Sequence, residues 1–440
     1  MEKYYHIVTY GCQMNVHESE KIAGILCELG YKNCDDAESA DIVVFNTCCI
    51  RENAENHAFG NIGMLKKLKS IKKDMIIAVG GCMTQQMGKA DNLHGKFPYV
   101  DIIFGTHNLS NLKNLILQKQ KQKKSVIEIL DSEGEIVEGE QPFRTSFPNA
   151  WVNITYGCNN FCSYCIVPYV RGRERSRKSE NIIAEVKDLI KQGYKEITLL
   201  GQNVNSYGND TNGDLSFPEL LEKLAQLDGK FRLRFMTSHP KDFSEELAKV
   251  IAKYPKICNC VHLPVQSGSN SVLKAMNRKY TAEQYLARVE TLKSFVPDCT
   301  ITTDIIVGFP GETEKDFEDT VELVKKVNYS SAFTFVYSKR KGTVAEKMEN
   351  QIDEETSKRR IMHLIEVVNS LTREHSKKYI GKTVEILCED YDAKKNLYLG
   401  RDEYGRMGYF ESEKNVIGEF INIKVLQANG VSLIGEIVKD

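Results

Sequence analysis

The sequence lacks an excess of charge of either sign. Its 59 lysines and arginines nearly balance 60 aspartates and glutamates, which leaves a formal net charge of -1. This balance excludes a uniformly basic nucleic-acid coat and an acidic disordered tail, although it is compatible with local basic patches. Hydrophobic residues make up 41% of the chain and charged residues 27%, which is typical of a soluble globular protein.

Long apolar segments are also missing. The longest runs, such as residues 301–307, have the length of a strand, so the sequence predicts no membrane span. Residues 1–6 are polar and lack the apolar core of a signal peptide. We therefore expect a cytoplasmic protein that makes no contact with a membrane.

Motifs for hydrolytic chemistry are absent from the sequence. It contains no Walker loop, no paired-carboxylate motif and no Ser-His-Asp order, and its nine histidines form no HExxH pattern. Cysteine is sparse as well, because 13 cysteines in 440 residues are too few for a secreted disulfide scaffold. In a reducing compartment such thiols stay free for metal binding or catalysis.

The order of the predicted elements divides the chain into three domains and indicates an α/β fold class. Residues 1–145 alternate short β-branched strands with helices, which predicts an open parallel sheet. Residues 146–376 continue the alternation in six βα steps, too few for a closed eight-stranded barrel but suited to a partial (β/α)6 barrel. Residues 377–440 contain short strands separated by glycine, which predicts a small all-β barrel.

Three cysteines lie on one polar loop after the first strand of the second domain. They are Cys158, Cys162 and Cys165, with the spacing CxxxCxxC. Three thiolates on a tight loop can bind three irons of a [4Fe–4S] cluster and leave the fourth iron open for S-adenosylmethionine. A zinc knuckle or a set of packing cysteines is the alternative, which the lack of a fourth ligand nearby in the sequence disfavours. The spacing is typical of radical-SAM enzymes.

Three further cysteines are dispersed over the first domain. Cys12, Cys48 and Cys82 each follow the carboxyl end of a predicted strand, 36 and 34 residues apart. Because the carboxyl ends of parallel strands share one edge of a sheet, these thiols can converge there and hold a second cluster. The alternative is that they are buried packing residues, which the neighbouring Gly11 and Gly81 weaken because glycine marks turns.

Longer motifs around these cysteines resemble the methylthiotransferase family of radical-SAM enzymes. The similar segments include residues 9–15, 46–55 and 157–177. The resemblance covers essentially the whole chain and implies an N-terminal methylthiotransferase domain, a radical-SAM domain and an RNA-binding TRAM barrel. Segments 46–55, 166–174 and 200–207 resemble the branch that acts on N6-isopentenyladenosine in tRNA, the tRNA-2-methylthio-N6-dimethylallyladenosine synthases.

This resemblance implies methylthiolation of C2 of N6-isopentenyladenosine at position 37 of tRNA. It implies two [4Fe–4S] clusters, one on the CxxxCxxC loop for cleaving S-adenosylmethionine and one on the dispersed cysteines for holding sulfur. The implied partners are the tRNA anticodon stem-loop, an external electron donor and an external sulfur source, and we expect a monomer. The alternatives are a methylthiotransferase for threonylcarbamoyladenosine tRNA or for a ribosomal protein, and a non-catalytic iron–sulfur regulator that binds RNA.

The resemblance also implies which side chains bind S-adenosylmethionine. The candidates are Tyr164, Gln202, Asn203, Ser238, Gln266 and Asp304. Each of them has an alternative interpretation as a capping or turn residue. Cys49 departs from the family pattern, in which a small polar residue is common; we expect it to be no ligand, and competition with Cys48 as a ligand is the alternative. The other cysteines are expected to be small buried hydrophobic residues: Cys27, Cys34, Cys258, Cys260, Cys299 and Cys388.

Basic residues form local runs despite the neutral total. The run from Arg171 to Lys178 follows the cysteine loop, and we expect it to contact RNA phosphates. Runs at 66–73 and 119–124 are expected to be solvated helix faces, and a third run covers 339–341. The C-terminal barrel has 10 basic and 11 acidic residues, so its RNA binding is expected to depend on aromatic and backbone contacts. The aromatic candidates there are Tyr404, Tyr409 and Phe410.

Overall fold

A computed structural model describes residues 2–49, 52–122, 124–132, 136–139, 142–210 and 214–438. Ile50 and Arg51 of the resembling segment 46–55 lie outside the described residues. The chain forms two compact units. The first unit contains Met1–Thr145, Tyr156–Asn159 and Ile166–Arg175. The second unit contains Ser146–Thr155, Asn160–Cys165 and Ser176–Asp440.

The first unit is built on a six-stranded parallel sheet with the order β2-β1-β3-β4-β5-β6. Its strands are β1 (Lys3–Thr9), β2 (Tyr31–Asn33), β3 (Ile42–Thr47), β4 (Ile76–Gly81), β5 (Ile102–Phe104) and β6 (Val126–Glu128). Its helices are α1 (Gln13–Glu28), α2 (Glu52–Ile71), α3 (Lys89–Lys96), α4 (Leu112–Gln122) and α5 (Val167–Arg171), with a 3-10 turn at Leu109–Asn111. The predicted parallel sheet is therefore confirmed, while the three-residue strands β2, β5 and β6 were not predicted.

Alternate residues of the central strands bury opposite faces of this sheet. Val44 and Ala78 pack in one apolar cluster together with residues of α1 and α4. Val43 and Ile77 pack in a second cluster with residues of α2 and α3. Because both faces are covered by helices, every residue of β3 and β4 is buried, as expected for a parallel sheet.

The second unit contains six parallel strands in two three-stranded sheets with the orders β11-β10-β7 and β12-β13-β14. An isolated parallel bridge pairs Leu233 of β11 with Ile257, three residues before β12. The six strands are β7 (Asn149–Asn153), β10 (Glu196–Leu200), β11 (Arg232–Phe235), β12 (Cys260–His262), β13 (Thr300–Val307) and β14 (Ser331–Val336). Two further short strands, β8 (Thr155–Tyr156) and β9 (Arg175–Ser176), each contain one residue of the first unit and one of the second. The six-step partial barrel predicted from the sequence is confirmed.

Helices cover one side of these sheets. They are α6 (Ser179–Lys191), α7 (Phe217–Ala225), α8 (Glu245–Lys253), α9 (Asn270–Ala275), α10 (Ala282–Phe295), α11 (Glu314–Val327) and α12 (Glu354–Lys377), with 3-10 turns at Val204–Ser206, Pro240–Asp242 and Ala345–Lys347. The alternation in β13 shows which side is covered, because Ile301 and Ile305 belong to the apolar core whereas Thr302 and Asp304 are only half-buried. The side of β12, β13 and β14 that carries Thr302 and Asp304 is called the open face below.

The C-terminal region of the second unit is a closed five-stranded barrel with the order β15-β16-β17-β19-β18. The strands are β15 (Thr383–Asp392), β16 (Leu397–Arg401), β17 (Met407–Phe410), β18 (Phe420–Asn429) and β19 (Ser432–Ile437). The barrel predicted from the sequence is confirmed. The expected RNA contact by Phe410 is wrong, because this ring is fully buried in the barrel core beside Ile386 and Ile423. The guanidinium of Arg406 lies 5.3 Å from the ring centroid of Tyr404. Tyr409 is half-buried.

Two arginines of β11 attach the barrel to the partial-barrel sheet. Arg232 donates from Nη1 to the main-chain oxygen of Arg401 (2.8 Å) and from Nη2 to that of Glu385 (2.9 Å). Arg234 donates to the main-chain oxygen of Asp402 (3.1 Å) and binds Glu196 through Nε and Nη2 (2.8 and 3.0 Å). Both arginines are buried, so these bonds fix the barrel to the sheet.

None of the helices in the described ranges combines the length and the apolar character needed to cross a membrane.

Candidate functional site

The dispersed cysteines of the first unit lie at the carboxyl ends of three neighbouring strands. Cys48 directly follows β3, Cys82 directly follows β4, and Cys12 comes three residues after β1, at the residue that precedes α1. The strands β1, β3 and β4 are adjacent in the sheet. The thiols therefore lie at the sheet edge at which ligands bind in open α/β folds.

Two glycines let the chain segments approach each other at this edge. Gly11 has φ +119°, and a Cβ on it would lie 2.7 Å from Cβ and 3.0 Å from Sγ of Cys48. Gly81 has φ +101°, and a Cβ there would lie 2.4 Å from the main-chain oxygen of Thr47. Any other residue would be strained at both positions, and it would collide with Cys48 at position 11 and with the backbone of Thr47 at position 81.

An amide network that the sequence did not reveal ties α1 to β3 beneath these cysteines. Asn15 donates from Nδ2 to Oδ1 of Asn46 (3.2 Å) and to the main-chain oxygen of Thr47 (3.1 Å). Asn46 returns a bond from Nδ2 to the main-chain oxygen of Asn15 (2.8 Å). Cys12 donates from Sγ to Oδ1 of Asn15 (3.5 Å), so the network also orients this thiol.

Cys49 and Cys82 form a buried thiol pair in an apolar cluster with Ile166 and Val170. The hydrogen bond from Cys49 is the largest cause that lowers the pKa of Cys82, to about 7. The same bond, together with burial, raises the pKa of Cys49 well above its usual value. Of the two thiols, Cys82 is therefore the one that loses its proton more readily, and Cys49 is the hydrogen-bond donor.

A buried arginine supplies positive charge to this edge. Arg171, the last residue of α5, donates from Nη1 and Nη2 to the two carboxylate oxygens of Glu18 (2.5 and 3.1 Å). Burial lowers the pKa of Arg171, but the negative charges of Cys82 and Glu18 raise this pKa well above its usual value. The expected contact between Arg171 and RNA is wrong, because the side chain is buried and already bound. Arg177 is also buried, and it binds Glu185 (2.8 Å), so the same correction applies to it.

The donor set of this edge fits an anionic iron–sulfur cluster. Thiolates are the ligands that such clusters prefer, and Arg171 lies close enough to offset part of their charge. Over the described ranges, no three Cys, His, Asp or Glu side chains already stand in metal-binding geometry. The fold thus brings Cys12, Cys48 and Cys82 to one edge without assembling them fully.

The CxxxCxxC loop is distributed over both units. Cys158 belongs to the first unit, in which its main-chain N–H donates to the main-chain oxygen of Gly172 (3.1 Å). The preceding Gly157 has φ +73°, and a Cβ there would lie 2.0 Å from the main-chain oxygen of Arg173. The backbone at Cys158 is therefore held tightly in a conformation that needs glycine beside it.

Cys162 and Cys165 belong to the second unit, in which α9 holds their loop. Ser163, between them, donates from N to the main-chain oxygen of Met276 (3.1 Å) and from Oγ to that of Ala275 (2.8 Å). The N–H of Cys165 donates to the main-chain oxygen of Cys162 (2.9 Å), which closes a turn. Both thiols are thus presented on one short, fixed turn.

Arg278 contacts the cysteine loop, and sequence reasoning did not single it out as a candidate. Its Nη1 donates to Sγ of Cys162 (3.4 Å) and to the hydroxyl of Tyr164 (3.4 Å). Its Nη2 donates to the main-chain oxygen of Pro264 (2.8 Å), and its Nε donates to the hydroxyl of Tyr280 (2.9 Å). Burial lowers the pKa of Arg278, but Tyr164, Tyr280 and Cys162 together raise it well above its usual value. No motif in the sequence marks this residue.

Buried polar atoms collect at the carboxyl ends of β7, β10 and β11. The hydroxyl of Ser238 and both side-chain polar atoms of Asn153 and Asn205 are buried and have no hydrogen-bond partner among the described residues. Burying such groups is unfavourable unless they are bonded, so the site fits a polar ligand such as the amino and carboxyl groups of S-adenosylmethionine. Of these three residues, only Ser238 was predicted.

Of the other predicted ligands of S-adenosylmethionine, Gln202, Asn203 and Gln266 follow strands, whereas Asp304 lies within β13 and Tyr164 lies on the cysteine loop. Asn203 follows β10, and its amide already donates to Asp242 (2.7 Å) and accepts from the N–H of His239 (3.0 Å). Gln202 directly precedes it and is half-buried. Gln266 has φ +73° and donates from N to the main-chain oxygen of Asp304 (2.9 Å). The ring of Tyr164 lies in the apolar cluster around Phe309.

Comparison with known proteins identifies the domains of the chain and its fold. Three family models match the chain: the Radical SAM superfamily over residues 152–324, the uncharacterized protein family UPF0004 over 4–105 and the TRAM domain over 377–438. Two solved structures share the fold at low sequence identity. The radical S-adenosylmethionine methyltransferase TsrM from Kitasatospora setae has a TM-score of 0.57 at 14% identity, covering 79% of this chain and 77% of its own. The cobalamin-dependent S-adenosylmethionine radical enzyme OxsB has a TM-score of 0.53 at 13% identity, and the match covers 81% of this chain and 56% of the OxsB chain.

Curated relatives are similar over nearly their full length. A tRNA-2-methylthio-N(6)-dimethylallyladenosine synthase from Clostridium botulinum (strain Langeland) is 52% identical over 98% of this chain and 96% of its own. The enzyme of the same name from Clostridium perfringens (strain 13) is 52% identical over 100% of this chain and 98% of its own. The enzyme of that name from Clostridium beijerinckii is 50% identical over 100% and 96%. The predicted family and enzyme class are therefore confirmed, and the radical-SAM domain implies a [4Fe–4S] cluster and S-adenosylmethionine. The chain belongs to the tRNA-2-methylthio-N(6)-dimethylallyladenosine synthase family of radical-SAM tRNA methylthiotransferases.

Proposed function

We propose that this enzyme converts N6-isopentenyladenosine at position 37 of tRNA into 2-methylthio-N6-isopentenyladenosine. The observation that carries the proposal is the identity of about half of all residues to enzymes of that name over 96–98% of their length. The substrate is the anticodon stem-loop, in which an unpaired base leaves its stack more easily than in a duplex.

The chain offers two separate sets of thiols, one for each of two [4Fe–4S] clusters. Cys158, Cys162 and Cys165 would hold the first, which supplies the electron that cleaves S-adenosylmethionine when bound. The polar atoms at the ends of β7, β10 and β11 would bind the amino and carboxyl groups of S-adenosylmethionine, and Arg278 orients the loop that carries Cys162. The other predicted contacts are Tyr164, Gln202, Asn203, Gln266 and Asp304.

Cys12, Cys48 and Cys82 would hold the second cluster, and Arg171 offsets the negative charge of their thiolates. Electrons and sulfur come from external donors, and the enzyme acts as a monomer. The domain boundaries that accompany this division are residues 1–145 for the sulfur-inserting domain, 146–376 for the radical-SAM domain and 377–440 for the RNA-binding barrel.

The substrate assignment is tested with synthetic anticodon stem-loops under anaerobic conditions. Loops that carry adenine, N6-isopentenyladenine or threonylcarbamoyladenine at position 37 are incubated with the reconstituted enzyme, S-adenosylmethionine, sulfide and a reductant. We expect a methylthio product by mass spectrometry from the isopentenyl loop alone. A product from the threonylcarbamoyl loop, or from a ribosomal protein but no RNA, would contradict the proposal.

The two-cluster assignment is tested by counting iron. Wild-type enzyme should contain about eight irons per chain, and a Cys12→Ala, Cys48→Ala, Cys82→Ala variant should contain about four. That variant should still release deoxyadenosine but form no methylthio product. Cys388→Ala, a buried cysteine of the barrel, is the matched control and should keep about eight. About four irons in the wild type would remove the second cluster from the proposal.

A further inference from the structure

Two phenylalanines of β14 are exposed, as is Val336 at the end of the strand (41%). Phe333 is 55% exposed and Phe335 is 38% exposed. They are two residues apart in β14, so their side chains point to the same side of the sheet. Within the described part of the chain, β14 ends the order β12-β13-β14, and its outer edge pairs with no strand.

The pairing register places both rings on the open face. Phe333 is paired with Asp304, and Phe335 is paired with Ile306, in the parallel ladder of β13 and β14. The ring of His262, on β12, meets the ring of Phe333 edge to face with the centroids 6.2 Å apart. The two phenylalanines thus lie on the side that the helices leave open.

Polar contacts fix the histidine beside these rings. Nδ1 of His262 lies 2.9 Å from Oγ1 of Thr302, and Nε2 lies 3.5 Å from Oδ2 of Asp304. The imidazole is therefore held between two neighbours, and Phe333 packs against a ring that does not move freely. A rigid aromatic surface of this kind loses little conformational entropy when a planar ligand stacks on it.

The same face leads to the cysteine loop. Ile306 belongs to one apolar cluster with Tyr164, the residue between Cys162 and Cys165. The ring of Tyr337, just after β14, packs against Phe309 of that cluster with centroids 5.3 Å apart. A planar group on Phe333 and Phe335 would therefore lie beside the site predicted for S-adenosylmethionine.

Positive charge follows the aromatic pair along the chain. Lys339 and Lys341 are exposed, and no described carboxylate forms an ion pair with either of them. Aromatic rings beside unpaired cations are the combination with which proteins bind single-stranded nucleic acid, since bases stack on the rings and phosphates meet the cations.

We propose that Phe333 and Phe335 form the stacking surface for the target base of the RNA and for its apolar N6 substituent. Lys339 and Lys341 bind the phosphates that flank this base. The inference rests on the proposed function and adds to it the residues that recognise an N6-alkylated adenine. An alkyl group gains by leaving water for the exposed ring of Phe333, whereas unmodified adenine has no such group to bury.

The experiment measures binding of labelled stem-loops to the anaerobic holoenzyme by fluorescence anisotropy. Two loops are compared, one with N6-isopentenyladenine and one with adenine at the target position. Phe333→Leu and Phe335→Leu should weaken binding of the isopentenyl loop about 10-fold, while Phe333→Tyr should retain it, because tyrosine keeps the aromatic face. Phe295→Leu, on α10, is the matched control for an exposed ring elsewhere and should bind both loops as the wild type does.

The lysines provide a second, independent readout. The double variant Lys339→Gln, Lys341→Gln should weaken binding of both loops equally. The slope of the logarithm of the binding constant against the logarithm of the salt concentration should become less steep by about 0.7 per lost phosphate contact. Equal affinity of Phe333→Leu and wild type for the isopentenyl loop, at equal iron content, would overturn the inference even if the wild type forms the methylthio product. If the wild type neither prefers the isopentenyl loop nor forms product, the proposed function itself is wrong.

Discussion

Two buried arginines lie beside predicted cluster cysteines, one in each unit, and they differ in what balances their charge. Arg171 makes a two-pronged ion pair with Glu18 beside Cys82 and Cys12. Arg278 donates to two hydroxyls, one main-chain oxygen and the thiol of Cys162, and no described carboxylate forms an ion pair with it.

The difference distinguishes an arginine whose charge is mostly balanced by a carboxylate of the protein from one whose charge is available to a bound anionic group. A buried ion pair contributes little net stability, but breaking it is costly because one charge stays behind without water. Arg171 already has a carboxylate partner within the protein, so it shapes the edge that carries Cys82 whether or not a cluster is present, and only part of its charge is left to offset the thiolates. The positive charge of Arg278 is instead directed at a cysteine, where a bound anionic group would complete its neutralisation.

Replacing Arg171 should give the largest change in stability. In Arg171→Met the carboxylate of Glu18 stays buried without its partner, so the free energy of unfolding should fall by about 3–5 kcal/mol. Urea unfolding of the cluster-free protein, followed by circular dichroism, measures this change. Adding Glu18→Gln should recover most of the loss, and an additive further loss in the double variant would show that the pair is not coupled.

Replacing Arg278 should affect the cluster more than the fold. Arg278→Met leaves no buried carboxylate behind, so the unfolding free energy should change less than in Arg171→Met. Removing a group that bonds to a cysteine ligand should weaken iron retention about 10- to 100-fold, measured as iron lost to a chelator over time. Arg288→Met on α10 is the control, and iron retention equal to this control would remove Arg278 from the site.

Of the three replacements, that of Cys49 should have the smallest effect on stability and on iron content. It tests which cysteines of the first unit bind the cluster. Cys49→Ala removes the hydrogen bond to Cys82 and should lower the unfolding free energy by about 1 kcal/mol. Its thiol has a raised pKa and stays protonated, so it is a poor ligand and the iron content should remain about eight per chain. A loss of four irons would identify Cys49 as a ligand in place of Cys48.

Much of the fold could be predicted because its determinants are local. The strands 196–200 and 300–307 have the bounds that their β-branched runs predict. The position of Cys48 and Cys82 at the ends of neighbouring strands also agrees with the sequence prediction, because the glycine or polar turn after each strand is visible in the sequence. The strands β2, β5 and β6 escaped prediction because three residues are too few to show a pattern.

The site was less predictable because burial and pairing depend on distant residues. Arg171 lies in a run of basic residues, which is typical of an exposed surface, but its partner Glu18 is 153 positions away. Arg278 belongs to no motif, and although Asn205 lies in the resembling segment 200–207, only the structure shows that its amide is buried without a hydrogen-bond partner among the described residues. The role of the six cysteines as ligands stays a prediction that the iron count will test.

The attachment of the barrel has a consequence for how such enzymes diverge. Arg232 and Arg234 reach the main-chain oxygens of Glu385, Arg401 and Asp402. Every residue type has a carbonyl oxygen, so barrel side chains can be exchanged without losing these bonds. Substitutions at these barrel positions therefore leave the docking bonds in place, whereas substitution of Arg232 or Arg234 removes them.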